Sequence, residues 1–177
     1  MSWTQTLFDV IDTRSFSNLW FWIVLAVAWS SASQWVLGVP YDMVTRARRH
    51  GGVAEEELED LVRVNVLRIL RLVDGSGLLL LGLVSFVLTA LAILGFGYRV
   101  EFAQALFLLA LPLSGVGALS VRTAQQIRSA EPQGAALHRA LSRHRHLVQV
   151  TGMVSIFVTA LWGMSQTLGR PFPFNGF

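Results

Sequence analysis

The chain has 177 residues, 53% of them hydrophobic and 14% charged, with a formal net charge of +3. Soluble domains carry roughly 25% charged residues, so the composition points to a membrane protein built as one compact unit. The absence of cysteine excludes disulfides, thiolate metal sites, cysteine nucleophiles and cysteine-ligated iron–sulfur clusters.

The N-terminal stretch, residues 1–18, is no signal peptide, because two aspartates precede the first apolar run and no basic segment opens it. Trp3, Leu7, Val10 and Ile11 recur at helical spacing with Asp9 and Asp12 elsewhere, which predicts a short amphipathic helix lying on the outer surface.

A hydrocarbon core of ~30 Å needs about 20 apolar residues in a helix. Four segments meet this: Leu19 to Val39, Gly77 to Gly97, Val100 to Val121 and Leu147 to Leu168. The expected fold is therefore all-α, an integral membrane four-helix bundle over 19–168. The first segment is the least apolar, since Ser30, Ser31, Ser33 and Gln34 interrupt it.

Arginine placement orients the spans. Six arginines lie in 41–76 and five in 122–146, against Arg14, Arg99 and Arg170 on the other side. The positive-inside rule then puts both long loops in the cytoplasm and both termini in the periplasm of a bacterial inner membrane. Trp20, Trp22 and Tyr98 at the outer interface, and Trp35 and Tyr41 at the inner one, fit the preference of amphipathic rings for the headgroup level.

Each long loop reads as a helical hairpin. The first turns at Gly51-Gly52 and the second at "AEPQGA", with Pro132 and Gly134 as breakers. Leu58, Val62, Ile69 and Leu72 follow a 4-3-4-3 stripe, with Asn65 between, as in a helix packed on another helix. Asp74, Gly75 and Gly77 mark a joint that could bend. Arg46, Arg48, Arg49 and His50 end one helix and Glu55, Glu56 and Glu57 begin the next, which suits the helix dipoles at both places. Topology and capping explain this motif; an interaction surface is the alternative.

In "LHRALSRHRH" three arginines and three histidines face only Glu131 nearby. Arg46, Arg48, Arg49, Arg139, Arg143, Arg145, His144 and His146 are therefore candidates for anionic lipid at the inner leaflet, or for an acidic partner. Metal binding is not expected, since His144 and His146 are two apart on a helix and no carboxylate lies close in sequence. Nucleic acid is not expected either, because no aromatic residues interleave with the basic ones. No cofactor is implied.

The span interiors hold no Asp, Glu, Lys, Arg or His, which argues against proton-coupled transport and intramembrane catalysis. Small and hydroxylated residues form stripes instead: Gly82, Ser85 and Thr89; Ala110, Ser114 and Gly117 beside a possible kink at Pro112; Ser155, Thr159 and Gly163. Ser30, Ser33 and Gln34 cluster on one side of the first span and suit interhelical hydrogen bonds, with a water-filled path or a foreign subunit as alternatives.

The stretches "DTRSFSNLWFWIVLAVAWSSASQWVLGVPYDMVTRARRHGG", "VEFAQALFLLALPLS" and "GMVSIFVTALWGM" resemble a family of small bacterial membrane proteins described as "component of SufBCD complex". The resemblance implies association with iron–sulfur cluster assembly machinery and carries no catalytic motif. A cysteine-free chain could serve that machinery only as an adaptor. The expected function is a non-catalytic accessory subunit of an inner-membrane complex, docking through membrane packing faces and a basic cytoplasmic side. The alternatives are a homo-oligomeric pore for small anions or solutes and a membrane adaptor for cluster assembly.

Overall fold

The computed structural model describes Phe16 and residues 19–168. The expected amphipathic helix, with Trp3, and the C-terminal tail at 169–177 lie outside the described residues. Among the described residues five α-helices follow one another: α1 (Leu19–Gln34), α2 (Tyr41–His50), α3 (Val53–Ala92), α4 (Glu101–Ala130) and α5 (Gly134–Leu168). A two-residue strand pair, β1 (Trp35–Val36) and β2 (Val39–Pro40), separates α1 from α2, and a π-helical turn, Ile93–Gly97, extends α3.

Among the described residues three helical runs are long and apolar enough to cross a membrane: Val53–Gly97, Glu101–Ala130 and Gly134–Gln166. At about 1.5 Å per residue the first is roughly 67 Å long, more than twice a ~30 Å hydrocarbon core. Its N-terminal half must therefore stand outside any bilayer. Gly75 and Gly77 do not interrupt it: α3 is continuous from Val53 to Ala92, because glycine keeps its backbone donor and acceptor in the helical ladder. α4 likewise continues through Pro112, where only the bond to the Leu108 carbonyl is forgone.

The first expected span is corrected. Its helix ends at Gln34, after 16 residues, or about 24 Å. The chain then doubles back, pairing Trp35 with Pro40 and Val36 with Val39. Leu37 and Gly38 make the turn with φ of 52° and 77°. Positive φ at both central residues is the signature of a type I′ hairpin, which matches the twist of the strands. Leucine is strained there. Burial compensates: Leu37 is 4% exposed.

That hairpin reaches into a core built at the hairpin end of the molecule. Val36, Leu37 and Val39 pack with Val44 and Ala47 of α2, Leu58, Val62 and Val66 of α3, Ala124 and Ile127 of α4, and Leu137 and Leu141 of α5. The two helical hairpins thus form one stalk. The stripe read from the sequence delivers Leu58 and Val62 into it and Ile69 to its edge, while Leu72 is exposed. Asn65, the polar interruption, donates from Nδ2 to the Gly38 carbonyl at 3.3 Å.

Beyond the stalk the apolar halves pack as a row, α3 on α4, α4 on α5 and α5 on α1. A closed four-helix bundle is not seen among the described residues. None of the most apolar stretch of α3 is buried by the rest of the chain. α1 comes close to α5 at one glycine. A Cβ at Gly152 would stand 2.7 Å from a Trp29 ring carbon, so only glycine admits the indole there.

Truncating Leu141, which is fully buried, should cost about 2–5 kcal/mol. Thermal unfolding of Leu141→Ala in detergent should show a lowered midpoint, with cleavage by added protease shifting to the stalk. Unchanged melting would mean that this core does not hold the stalk together.

Candidate functional site

The basic residues of the two hairpins fall into three physical groups. In the first, charge is matched by acid. Arg46 lies 3.2 Å from Glu57 and Arg63 lies 2.7 Å from Asp60, both pairs exposed, so each contributes no more than about 1 kcal/mol. His138, 8% exposed, sits with Nε2 3.3 Å from Glu55 Oε1. Glu59 accepts a 2.9 Å hydrogen bond from the amide of Gly134, the first residue of α5. A carboxylate there satisfies one orphan donor and faces the positive end of the helix dipole. Glu59 therefore ties the first hairpin to the second, with Glu55 standing against His138, which sequence spacing alone did not reveal.

The second group is removed from the surface. His144 was a candidate for lipid or an acidic partner, yet its side chain is 2% exposed, enclosed between α4 and α5. Thr123 donates its hydroxyl proton to the Leu119 carbonyl, so at 3.0 Å its oxygen accepts from His144 Nδ1–H. Ser120 Oγ, whose proton goes to the Val116 carbonyl, stands 3.5 Å from Nε2. His144 lies outside the expected span at 147–168, and burial pushes its imidazole below the ordinary 6.5.

The third group faces outward. Arg48, Arg49 and His50 are exposed on α2. Arg139 Nε donates to the Ala135 carbonyl at 3.2 Å, and Arg143 reaches Gln126 Oε1 at 3.0 Å. Exposed His146 donates from Nδ1 to the Ser142 carbonyl at 2.7 Å. Arg145, between them, is half-buried rather than outward, its Cζ 3.8 Å from the Tyr41 ring centroid. Tyr41 shares a 3.2 Å hydrogen bond with Ser142. That bond, with a hydrogen bond from Arg145 and the charges of Arg145 and Arg48, holds the phenol below its usual range against an opposing push from burial.

Near the tip an open groove of about 410 Å³ has Val62, Val66, Ile127 and Leu137 on its floor and Glu59, Arg63 and Arg128 on its rim.

The remaining candidates divide by exposure. Ser155 and Thr159 are buried and Gly163 packs on Phe16, together with Gly152 forming the face of α5 that meets α1. Gly82, Ser85 and Thr89 are exposed on α3. Ser30 and Gln34 are exposed as well, and Ser33 donates back to the Trp29 carbonyl at 2.8 Å. None of these three bonds across helices within the described chain. Ser114 likewise turns back to the Leu111 carbonyl.

At the opposite end, Trp20 and Tyr98 are exposed, while Trp22 donates to the Phe16 carbonyl at 3.1 Å. Buried Gln104 gives Nε2–H to the Gly95 carbonyl at 2.8 Å and accepts from Trp162 Nε1 at 3.1 Å. This bridge joins the π-helical turn, α4 and α5.

Comparison with family models, with curated proteins and with solved structures returns no match.

The buried imidazole carries a pH dependence. Because its folded-state value is lowered, the unfolded chain takes up the proton first as pH falls. The contribution is therefore complete above the ordinary 6.5 and is lost progressively below it. The melting temperature in detergent should fall between about pH 8 and about pH 5.5, and His144→Asn should flatten that dependence. A slope the variant shares with the parent would assign it to other groups.

Proposed function

We propose that this chain is a non-catalytic, multi-pass accessory subunit of a bacterial inner membrane, which presents a basic helical stalk to a partner in the cytoplasm. The observation that carries this reading is where the packing lies. The chain buries its core in the stalk, outside the apolar layer, while the apolar half of α3 is left uncovered by its own chain. A protein whose work was done at depth would need groups converging between its apolar helices. Here the outward arginines, Arg49, Arg139 and Arg143, and the apolar-floored groove stand on the stalk, where a soluble acidic protein can reach them.

The resemblance stated from the sequence makes iron–sulfur cluster assembly proteins the first partners to test, with this chain as their membrane adaptor. Self-assembly into a pore is the second reading, favoured by the exposure of Ser30 and Gln34 on α1. α1 would then be the lumen-facing helix, with arginines at its inner mouth selecting anions.

Composition of the native assembly separates the two. Native mass spectrometry of the protein extracted in a mild detergent is expected to find fixed ratios of foreign subunits. A mass built only from copies of this chain would favour the pore. Replacing Gln34 with leucine is then expected to leave solute flux into liposomes unchanged; a clear loss of flux would abandon the accessory reading.

Orientation has its own test, made simple by the absence of native cysteine. Ser129→Cys at the stalk tip should react with an impermeant maleimide only after cell lysis. Tyr98→Cys at the opposite end should react in intact spheroplasts. The reverse pattern would invert the topology.

A further inference from the structure

Arg145 is held differently from the other basic residues. Its guanidinium lies over the Tyr41 ring at 3.8 Å, an arrangement that suits a planar, weakly hydrated cation. Its Nε is buried and finds no hydrogen-bond acceptor, and among the described residues no carboxylate pairs with it. A partly desolvated cation without a counter-charge is costly. Stacking fixes its orientation in advance, so a bound anion would pay little further ordering.

Its surroundings say which anion. Arg145 stands two residues before Leu147, where the apolar run of α5 begins, and Tyr41 opens α2 directly after the hairpin that follows α1. In the membrane placement proposed above, this is the level at which lipid phosphates sit. Trp35, paired across the hairpin with Pro40, the residue before Tyr41, exposes 55% of its surface. Exposed Arg48 lies seven residues beyond Tyr41 on the same face of α2. On the apolar side, Val24 and Val27 of α1 are exposed. A free phosphate would gain nothing from the indole or the valines, whereas an amphipathic ligand uses both.

We propose that Arg145, stacked on Tyr41 and flanked by Arg48 and Trp35, binds the phosphate of an anionic membrane lipid whose acyl chains lie along α1. The site rests on the membrane placement proposed above and is independent of which protein the stalk engages. The lipid would fill the corner between α1, α2 and α5, where the stalk meets the bilayer, and so set the angle at which the stalk stands.

Native mass spectrometry of the full chain in a neutral detergent, titrated with phosphatidylglycerol, phosphatidylcholine or inorganic phosphate, tests this. One phosphatidylglycerol per chain should be retained about tenfold more tightly than phosphatidylcholine, with Arg145→Gln abolishing that preference. Arg145→Lys preserves the charge and the fold but not the flat stacking, and should weaken retention by about threefold or more. Arg99→Gln, at the opposite end, should bind as the parent does. Equal retention of the two lipids, or parental binding by Arg145→Lys, overturns the proposal. Displacement of the lipid by millimolar inorganic phosphate would reassign the site to the free ion and overturn the lipid assignment. None of these outcomes bears on the foreign subunits sought by native extraction, so the two readings fail separately.

Discussion

Everything in this molecule is referred to the packing of the Val36–Val39 hairpin against α3 and α5 in the stalk. Hydrophobic burial is worth roughly 25 cal/mol per Å² where the alternative is water. Between helices in lipid that drive is absent, because the acyl chains are as apolar as leucine. The stalk is thus the part of the chain where Leu58, Val62, Leu137 and Leu141 gain most by meeting. Once they meet, the rotational phase of each long helix is set for its whole length, and so is the face it turns to the apolar layer. The strain of Leu37 at φ 52° is offset by the same burial.

Polar contacts then lock the ends. At the tip, Glu59 closes the N-terminus of α5 and Glu55 stands against His138. Where the stalk meets the apolar layer, His144 is bound to Thr123 and Arg145 rests on Tyr41. At the far end Gln104 bridges the Gly95 carbonyl and Trp162, and Phe16 donates its amide to Glu101. The hydrogen bonds among them, at Glu59, His144, Gln104 and Phe16, gain where the groups are shielded from competing water. They hold helices that apolar packing alone would leave free to slide.

The proposed function rests on what this arrangement leaves uncovered. The apolar half of α3 and the outer face of α1 are available to lipid or to other membrane helices, and the outward arginines are available to anionic surfaces. An accessory subunit that positions a soluble partner close to the bilayer uses all three. The stacked Arg145 would couple them, because it belongs to the stalk, yet its proposed ligand belongs to the membrane.

The sequence by itself determined the helical class, the apolar segments and the turns at Gly51-Gly52 and Pro132 to Gly134, because hydropathy runs and backbone breakers act over a few neighbouring residues. It also exposed one side of the stalk core through the spacing of Leu58 and Val62. It could not distinguish the roles of His144 and His146. Residues two apart on a helix point different ways, and which way is inward depends on where α4 lies. The Val36–Val39 hairpin was hidden for a similar reason: apolar β-branched residues at the end of an apolar helix read as more helix until a core exists to receive Leu37. The small-residue stripes looked alike in sequence, yet among the described residues Ser155 and Thr159 are buried while Gly82, Ser85 and Thr89 are exposed. Periodicity states that a face is suited to contact; only the tertiary arrangement decides which face is given a neighbour.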